Sequence, residues 1–426
     1  MASQTSAHWK SISWVCAGLL AAVLVTAGLT RLWVLTALPV GFLFGFFLQR
    51  GDLCGSSAFS EVLLLRDRSK VYGLWILIVV SMLVFALLDV LDLVQLAPKQ
   101  LLWLNYLVGG VVFGAGTVLA GGCISGCLYK TGTGNLNSMA ALAGIPLGIG
   151  AVQHGSLAEI YAALRSHKVT GPEGVAVTLS SLTGLPYWLL ALLFGTATLA
   201  VVFATRRRAA VGRSASGAAR ATGATYSAGA VPAAAGACGP AVIIADPSPQ
   251  AANRPSWLQR VLTRPWRPWQ AGLMIGLLAG PAYLSSAASG RNYPLGVTTG
   301  VLHIQQLLID RQQRVVWWLV LVVAALVLGA WVAGRLSGQA RLLPKPPEQT
   351  VTAFFGGILV GMGAAFANGC VVGNIMSGLA LMSVGMVIFT AATILANWLV
   401  TWLYLMGGAD AAPARASSRI RSRTPR

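Results

Sequence analysis

Charge is scarce in this 426-residue sequence: Asp, Glu, Lys and Arg together make up 10%, against roughly 25% in a soluble domain. Acidic residues are scarcest, 11 against 30 Lys and Arg, and histidine occurs four times. A chain of this length and so little charge cannot cover a water-exposed surface, which excludes a soluble enzyme and a disordered scaffold. Six cysteines are too few for a disulfide framework in a chain this size, which excludes a small secreted disulfide module. No G-x-x-x-x-G-K-[ST] phosphate loop occurs, so coupling to ATP would need a partner. His154 and His303 lie in connecting segments with no carboxylate or imidazole at ligand spacing. No metal and no other cofactor is therefore expected.

What is present is apolar: 56% of residues are hydrophobic and the mean hydropathy is +0.72. Apolar runs repeatedly reach the ~20 residues that cross a bilayer. Ten spans are predicted, roughly 12–30, 32–49, 71–96, 103–122, 136–153, 184–204, 268–286, 315–334, 350–368 and 379–406. The fold class expected is an all-α polytopic membrane protein with about nine or ten transmembrane helices and short re-entrant helices. The polar start Met1–Lys10 precedes an apolar run without a small-residue cleavage site, which reads as a retained helix. The net charge of 30 − 11 = +19 is concentrated in two hydrophilic stretches, with nine arginines between Arg206 and Arg267 and five between Arg415 and Arg426. Such stretches mark the cytoplasmic face and suit contact with anionic lipid; nucleic acid is not an expected partner.

The Ala-, Gly- and Ser-rich stretch 206–267 has linker composition, and Cys238 within it is incidental. It separates two similar halves. Residues 113–126 read FGAGTVLAGGCISG and residues 360–373 read VGMGAAFANGCVVG, with six identities in fourteen positions that include Cys123/Cys370 and Gly126/Gly373. A weaker pair precedes each: GFLFGFFLQRGDLCGSSA from Gly41 and GLMIGLLAGPAYLSSAAS from Gly272, aligning Gly41 with Gly272, Gly45 with Gly276 and Cys54 with Ser285. The organisation expected is an added helix (1–31), a membrane repeat (32–205), the basic cytoplasmic linker (206–267), a second repeat (268–408) and a basic tail (409–426). Placing both basic stretches in the cytoplasm makes the first repeat start outside and the second inside. The repeats are then antiparallel, a recurring transporter construction with the substrate site at the repeat interface.

Four segments following the Gly-rich spans, 52–65, 123–134, 284–306 and 370–379, look too broken to cross the membrane and too apolar for free loops. They are expected to be re-entrant or half-helix elements, tolerated at membrane depth only where they line a cavity. Free N–H groups and positive half-helix ends there suit an anion. Cys54, Cys123 and Cys370 stand at the mouths of three of these elements. A thiol buried in an apolar site stays neutral and offers a weak S–H donor, suited to a soft acceptor such as the terminal sulfur of a sulfur oxyanion. Cys16 reads as a small hydrophobe. Cys127, one turn from Cys123, has Asn374 as its counterpart and is accessory. Glu61 reads either as a proton-coupling group or as an interfacial one, and Lys130 as an anion attractor or as part of the positive-inside bias.

The segments GFLFGFFLQRGDLC, FGAGTVLAGGCISG and VGMGAAFANGCVVG resemble the YeeE/YedE family of bacterial inner-membrane proteins over about residues 32–205 and 268–407. The resemblance implies thiosulfate uptake, with Cys54, Cys123 and Cys370 passing the anion along S–H···S hydrogen bonds. Ser285, Gly122, Gly126, Gly369 and Gly373 complete the expected substrate-binding set. The partners expected are a small inorganic sulfur anion as cargo, membrane lipid, and, as a candidate, a cytoplasmic sulfur-carrier or sulfurtransferase protein. Ser285 in place of a thiol opens the choice of cargo to other sulfur or selenium species. The alternative from another class is a membrane-embedded sulfur-transfer enzyme with a cysteine persulfide. It needs a base beside the thiol, and none stands next to Cys123 or Cys370 in the sequence, so a transporter and not an enzyme is expected.

Overall fold

A computed structural model of the protein describes residues 9–169, 176–222, 261–262, 264–309, 315–342 and 345–407. Its helices are α1 (Trp9–Thr30), α2 (Ala37–Gly51), α3 (Gly55–Leu64), α4 (Ser69–Val90), α5 (Trp103–Leu119), α6 (Ile124–Gly132), α7 (Leu136–Gln153), α8 (Ala158–Ser166), α9 (Leu179–Thr183) and α10 (Tyr187–Thr222). Beyond the linker follow α11 (Pro268–Ala288), α12 (Thr298–Ile309), α13 (Trp317–Leu336), α14 (Pro347–Phe366), a π-helical turn (Val371–Met376) running into α15 (Ser377–Ala380), and α16 (Val384–Val400).

Among the described residues, ten helical stretches are long and apolar enough to cross a membrane, and they coincide with the ten spans expected. The protein is an all-α polytopic membrane protein. Three of the stretches, Trp33–Leu64, Trp103–Gly132 and Pro347–Ala380, run to 30 residues or more, well beyond the ~20 a bilayer requires. Each is broken in the middle: α2/α3, α5/α6 and α14/π-turn. A fourth, looser break separates α11 from α12.

The inversion of the repeats is visible in which helices lie side by side. Gly41 and Gly45 of α2 face the backbone at Val322 and Leu326 of α13, while Gly272 and Gly276 of α11 face Gly73 and Leu77 of α4. In both pairs residue numbers rise together, so the partners run parallel. The second units repeat this: Gly144 and Gly148 of α7 face Phe354 and Ile358 of α14, and Gly110 and Gly114 of α5 face Phe389 and Thr393 of α16. Each first element thus lies parallel to the second element of the other half, as antiparallel repeats require. Glycine lets these backbones touch, where the driving force in lipid is close packing rather than water exclusion. α5 and α14, whose numbers run in opposite senses at Gly116/Val360 and Gly363/Phe113, cross at the centre.

Two helices stand outside this core. Only 6% of the α1 span and 17% of the α10 span are buried, against about half or more for most of the others. α10 continues as helix to Thr222, into the stretch expected to be linker from Arg206. The rest of that stretch up to residue 260, including Cys238, and the tail from residue 408 lie outside the described residues.

Candidate functional site

The three cysteines owe their placement to one repeated backbone device. α2, α5 and α14 each end on a left-handed residue: Asp52 (φ 44°), Gly121 (φ 67°) and Asn368 (φ 51°). The next N–H in each case bonds back five residues, Leu53 to Leu48 (3.2 Å), Gly122 to Thr117 (3.1 Å) and Gly369 to Ala364 (2.8 Å), and the left-handed residue's own N–H bonds back three. This is the Schellman stop. The residue after it is the cysteine, in extended conformation, and it begins the half-helix that follows. The carbonyls of Cys54, Cys123 and Cys370 accept the first bonds, from Ala58, Cys127 and Asn374 at 2.8–2.9 Å. Each thiol therefore stands where a helix begins, among the free N–H groups of its first turn.

All three thiols are buried, none more than 1% exposed. Cys54 and Cys123 face one another with Sγ···Sγ 3.6 Å, and Ser125 Oγ lies 3.3 Å from Cys123 Sγ. Gly126 is the floor of this pair: a Cβ there would overlap Cys54 Sγ and stand 3.6 Å from Cys123 Sγ. Cys370 joins through its neighbour, since a Cβ on Gly55, next to Cys54, would lie 2.7 Å from Val371. The Cys370 thiol has no hydrogen-bond partner among the described residues. Gly373, the repeat counterpart of Gly126, is buried but has no atom within 4 Å of where its Cβ would be. Beside Gly126 a thiol fills the space, and beside Gly373 the space is open.

Lysines mark both ends of the cluster. On the side where α10 leaves and α11 enters, the linker side, Lys130 Nζ donates to Gly121 O (2.8 Å). On the far side Lys99 Nζ donates to Asn368 O (2.6 Å), the counterpart carbonyl, and to Asn374 Oδ1 (2.6 Å). Cys127 and Asn374 also match: the thiol of Cys127 faces Gly122 O at 3.7 Å, and Asn374 Nδ2 donates to Gly369 O at 3.0 Å. Both tie off the Schellman loop, so Cys127 has a scaffolding role. Far-side positive charge is continued by Arg291, which donates to the Tyr293 and Pro294 carbonyls and stacks on the Tyr293 ring, whose hydroxyl donates to Gly373 O (2.5 Å). Burial lowers the Lys99 ammonium to about 7, with Arg291 acting in the same direction. On the linker side Lys70 bridges Asp52 (2.6 Å) and Glu61 (2.7 Å), and Tyr129 donates to Asp52 (2.8 Å).

Residues 50–399 match the family model described as Sulphur transport, and this stretch holds Cys54, Cys123, Cys370 and the lysines and Arg291 that flank them. The chain belongs to the sulphur transport family. Among its relatives, the thiosulfate transporter TsuA of Spirochaeta thermophila is 30% identical over 377 residues, which cover 86% of this chain and 98% of that protein. The thiosulfate transporter TsuA of Escherichia coli K12 is 28% identical, over 86% of this chain and 94% of that protein. A shorter likeness, 31% over 104 residues, links the chain to the probable transporter YedE of E. coli K12. Family membership carries a transport role rather than an enzymatic one.

Within this sulphur transport fold Ser285 does not join the thiols. It lies inside α11, where its hydroxyl accepts from Trp318 Nε1 (2.7 Å) and pairs with Thr36. The glycine alignment that pointed to it is sound for packing, because Gly272 and Gly276 play the part of Gly41 and Gly45. The helices differ in length: seven residues separate Gly45 from Asp52, while fourteen separate Gly276 from Gly290, the left-handed stop of α11 (φ 83°). α12 then starts from Val297, which accepts from Val301, so the fourth unit has no thiol at its helix start. Lys99 and Arg291 were not singled out from sequence. Both sit in connecting segments, where a lone basic residue carries no periodic signal. The sequence sign available for Lys99 was its place between two spans on the side that the positive-inside rule leaves poor in Lys and Arg.

Proposed function

We propose that this protein takes thiosulfate, or a sulfur anion of the same build, across the bacterial cytoplasmic membrane into the cell, passing it along Cys370, Cys123 and Cys54 as neutral thiols. One observation carries the reading: buried cysteines begin equivalent half-helices in both inverted repeats, and two of their thiols lie 3.6 Å apart. With the linker side facing the cytoplasm, Lys99 and Arg291 collect the dianion outside. The open space beside Gly373 and the unpaired Cys370 thiol receive its terminal sulfur. Half-helix N–H groups offset the charge without a full counter-charge at the waist. Hydrogen bonds to an anion are worth about 1.5–3 kcal/mol, strong enough to hold the cargo and weak enough to hand it on. Cys123 and Cys54 take it next, and Lys130 stands at the exit. A cytoplasmic sulfur carrier or sulfurtransferase is the fitting acceptor. A persulfide enzyme would need a base, whereas the Cys123 thiol is bonded to Cys54 and Ser125.

The test is growth on thiosulfate as sole sulfur source of a bacterium lacking its own thiosulfate uptake. Rescue is expected from the parent chain and loss from Cys54→Ala, Cys123→Ala and Cys370→Ala at equal membrane expression. Rescue by all three variants would discard the thiol relay, and a well-expressed parent that fails would discard thiosulfate as cargo.

A further inference from the structure

A cavity of about 300 Å³ opens on the linker side at the end of α2, lined by Gln49, Arg50, Asp52, Trp266, Ser337 and Gln339. Arg50 is the unusual member. It is 3% exposed, and its Nε and Nη1 have no hydrogen-bond partner among the described residues. Nη2 donates to Leu262 O, and the guanidinium stacks on Phe46 at 5.2 Å. Arg50 forms no ion pair among the described residues: Asp52 lines the same cavity but has its carboxylate taken by Lys70 and Tyr129. A buried guanidinium with two unmet nitrogens is destabilising unless an acceptor arrives. The roof is the end of the long linker, where the Trp266 ring stacks on Phe47 (5.5 Å) and the Trp266 backbone N–H donates to Arg50 O (2.9 Å). Asp52, in the lining, stands two residues before Cys54 along the chain.

We propose that this cavity is an oxyanion site, built on Arg50, from which the transported sulfur anion leaves Cys54 for the cytoplasm. The proposal rests on the uptake reading above. Arg50 supplies full positive charge and at least two N–H groups for sulfonate oxygens, where the thiols offer only soft donors to the terminal sulfur. An anion drawn off the relay by its oxygens no longer needs the thiols.

The experiment uses the purified full-length chain with Cys54, Cys123 and Cys370 all changed to Ala, so that the relay contributes no binding. Equilibrium dialysis with radiolabelled thiosulfate is expected to show saturable binding that sulfate competes away. Arg50→Gln is expected to weaken it at least tenfold. Because Arg50→Gln could unsettle the fold, Gln339→Glu is the second variant. It places a carboxylate at the rim of the Arg50 cavity, and is expected to weaken binding at least tenfold with the melting temperature unchanged. Absence of saturable binding, or binding untouched by Gln339→Glu, overturns the site. In the cysteine-intact chain Gln339→Glu is expected to slow uptake; lost binding with unaltered uptake overturns the release role and leaves a site for a cytoplasmic oxyanion. A parent that takes up no thiosulfate fails the uptake reading separately, since the dialysis is done without the relay.

Discussion

Gly126 and Gly373 occupy the same place in the two repeats, and what lies beside them differs by one thiol. Gly126→Ala pushes a methyl into Cys54 Sγ, an overpacking that costs roughly 1–3 kcal/mol. We expect a lower melting temperature in detergent together with lost uptake. Gly373→Ala meets nothing within 4 Å, so its melting temperature is expected to hold while uptake falls, because the methyl takes space meant for the anion. Equal uptake by Gly373→Ala and parent would show the opening to be unused. At the far mouth, Lys99 is charged below about 7 and neutral above it. The cargo is a dianion throughout that range, so attraction is present at low pH and lost as pH rises. The KM for uptake is expected to rise roughly tenfold between about pH 6 and about pH 8, the equivalent of ~1.4 kcal/mol. Lys99→Met is expected to show the high KM at both pH values; a parent profile that stays flat counts against Lys99 as the collector.

At the scale of elements, the sequence was legible wherever a local rule fixes the backbone. A Gly-rich span followed by a cysteine marks a helix stop and a restart, and all three thiols stand at such restarts. Ser285 escaped because helix length is decided by the stop and not by the glycines that pack it, and the stop of α11 comes at Gly290, two turns after the register glycines would suggest. Asp52 and Asn368 are not glycine, yet both hold a left-handed conformation, and they fall at the breaks expected after residues 49 and 368. Ser285→Ala tests the revised register. Trp318, which is 1% exposed, would lose the acceptor for its indole N–H, at a cost of about 1–3 kcal/mol. A lower melting temperature is expected with uptake per folded molecule unchanged. Uptake lost at an unchanged melting temperature would return Ser285 to the cargo path.

For the whole molecule, inverted repeats make the two mouths near-equivalents, each with a lysine on a matching carbonyl. Geometry of this kind does not distinguish inside from outside, and charge does. Among the described residues, following the spans from the linker, Arg31, Lys99, Arg165, Lys168 and Arg291 fall on the far side, against Arg50, Arg66, Arg68, Lys70, Lys130, Arg264, Arg267, Arg335, Arg341 and Lys345 on the linker side. That asymmetry is the basis for placing the linker in the cytoplasm. It also explains why the few far-side cations are informative: they stand against the bias, and two of them crowd the Tyr293 ring beside Gly373. Membrane-impermeant thiol labelling of intact cells reads the orientation directly. Gln100→Cys, exposed on the far side, is expected to label from outside, and Arg68→Cys, exposed on the linker side, only after lysis. The reverse pattern would turn the molecule over, making Cys370 the last thiol on the inward route and the Arg50 cavity an entrance.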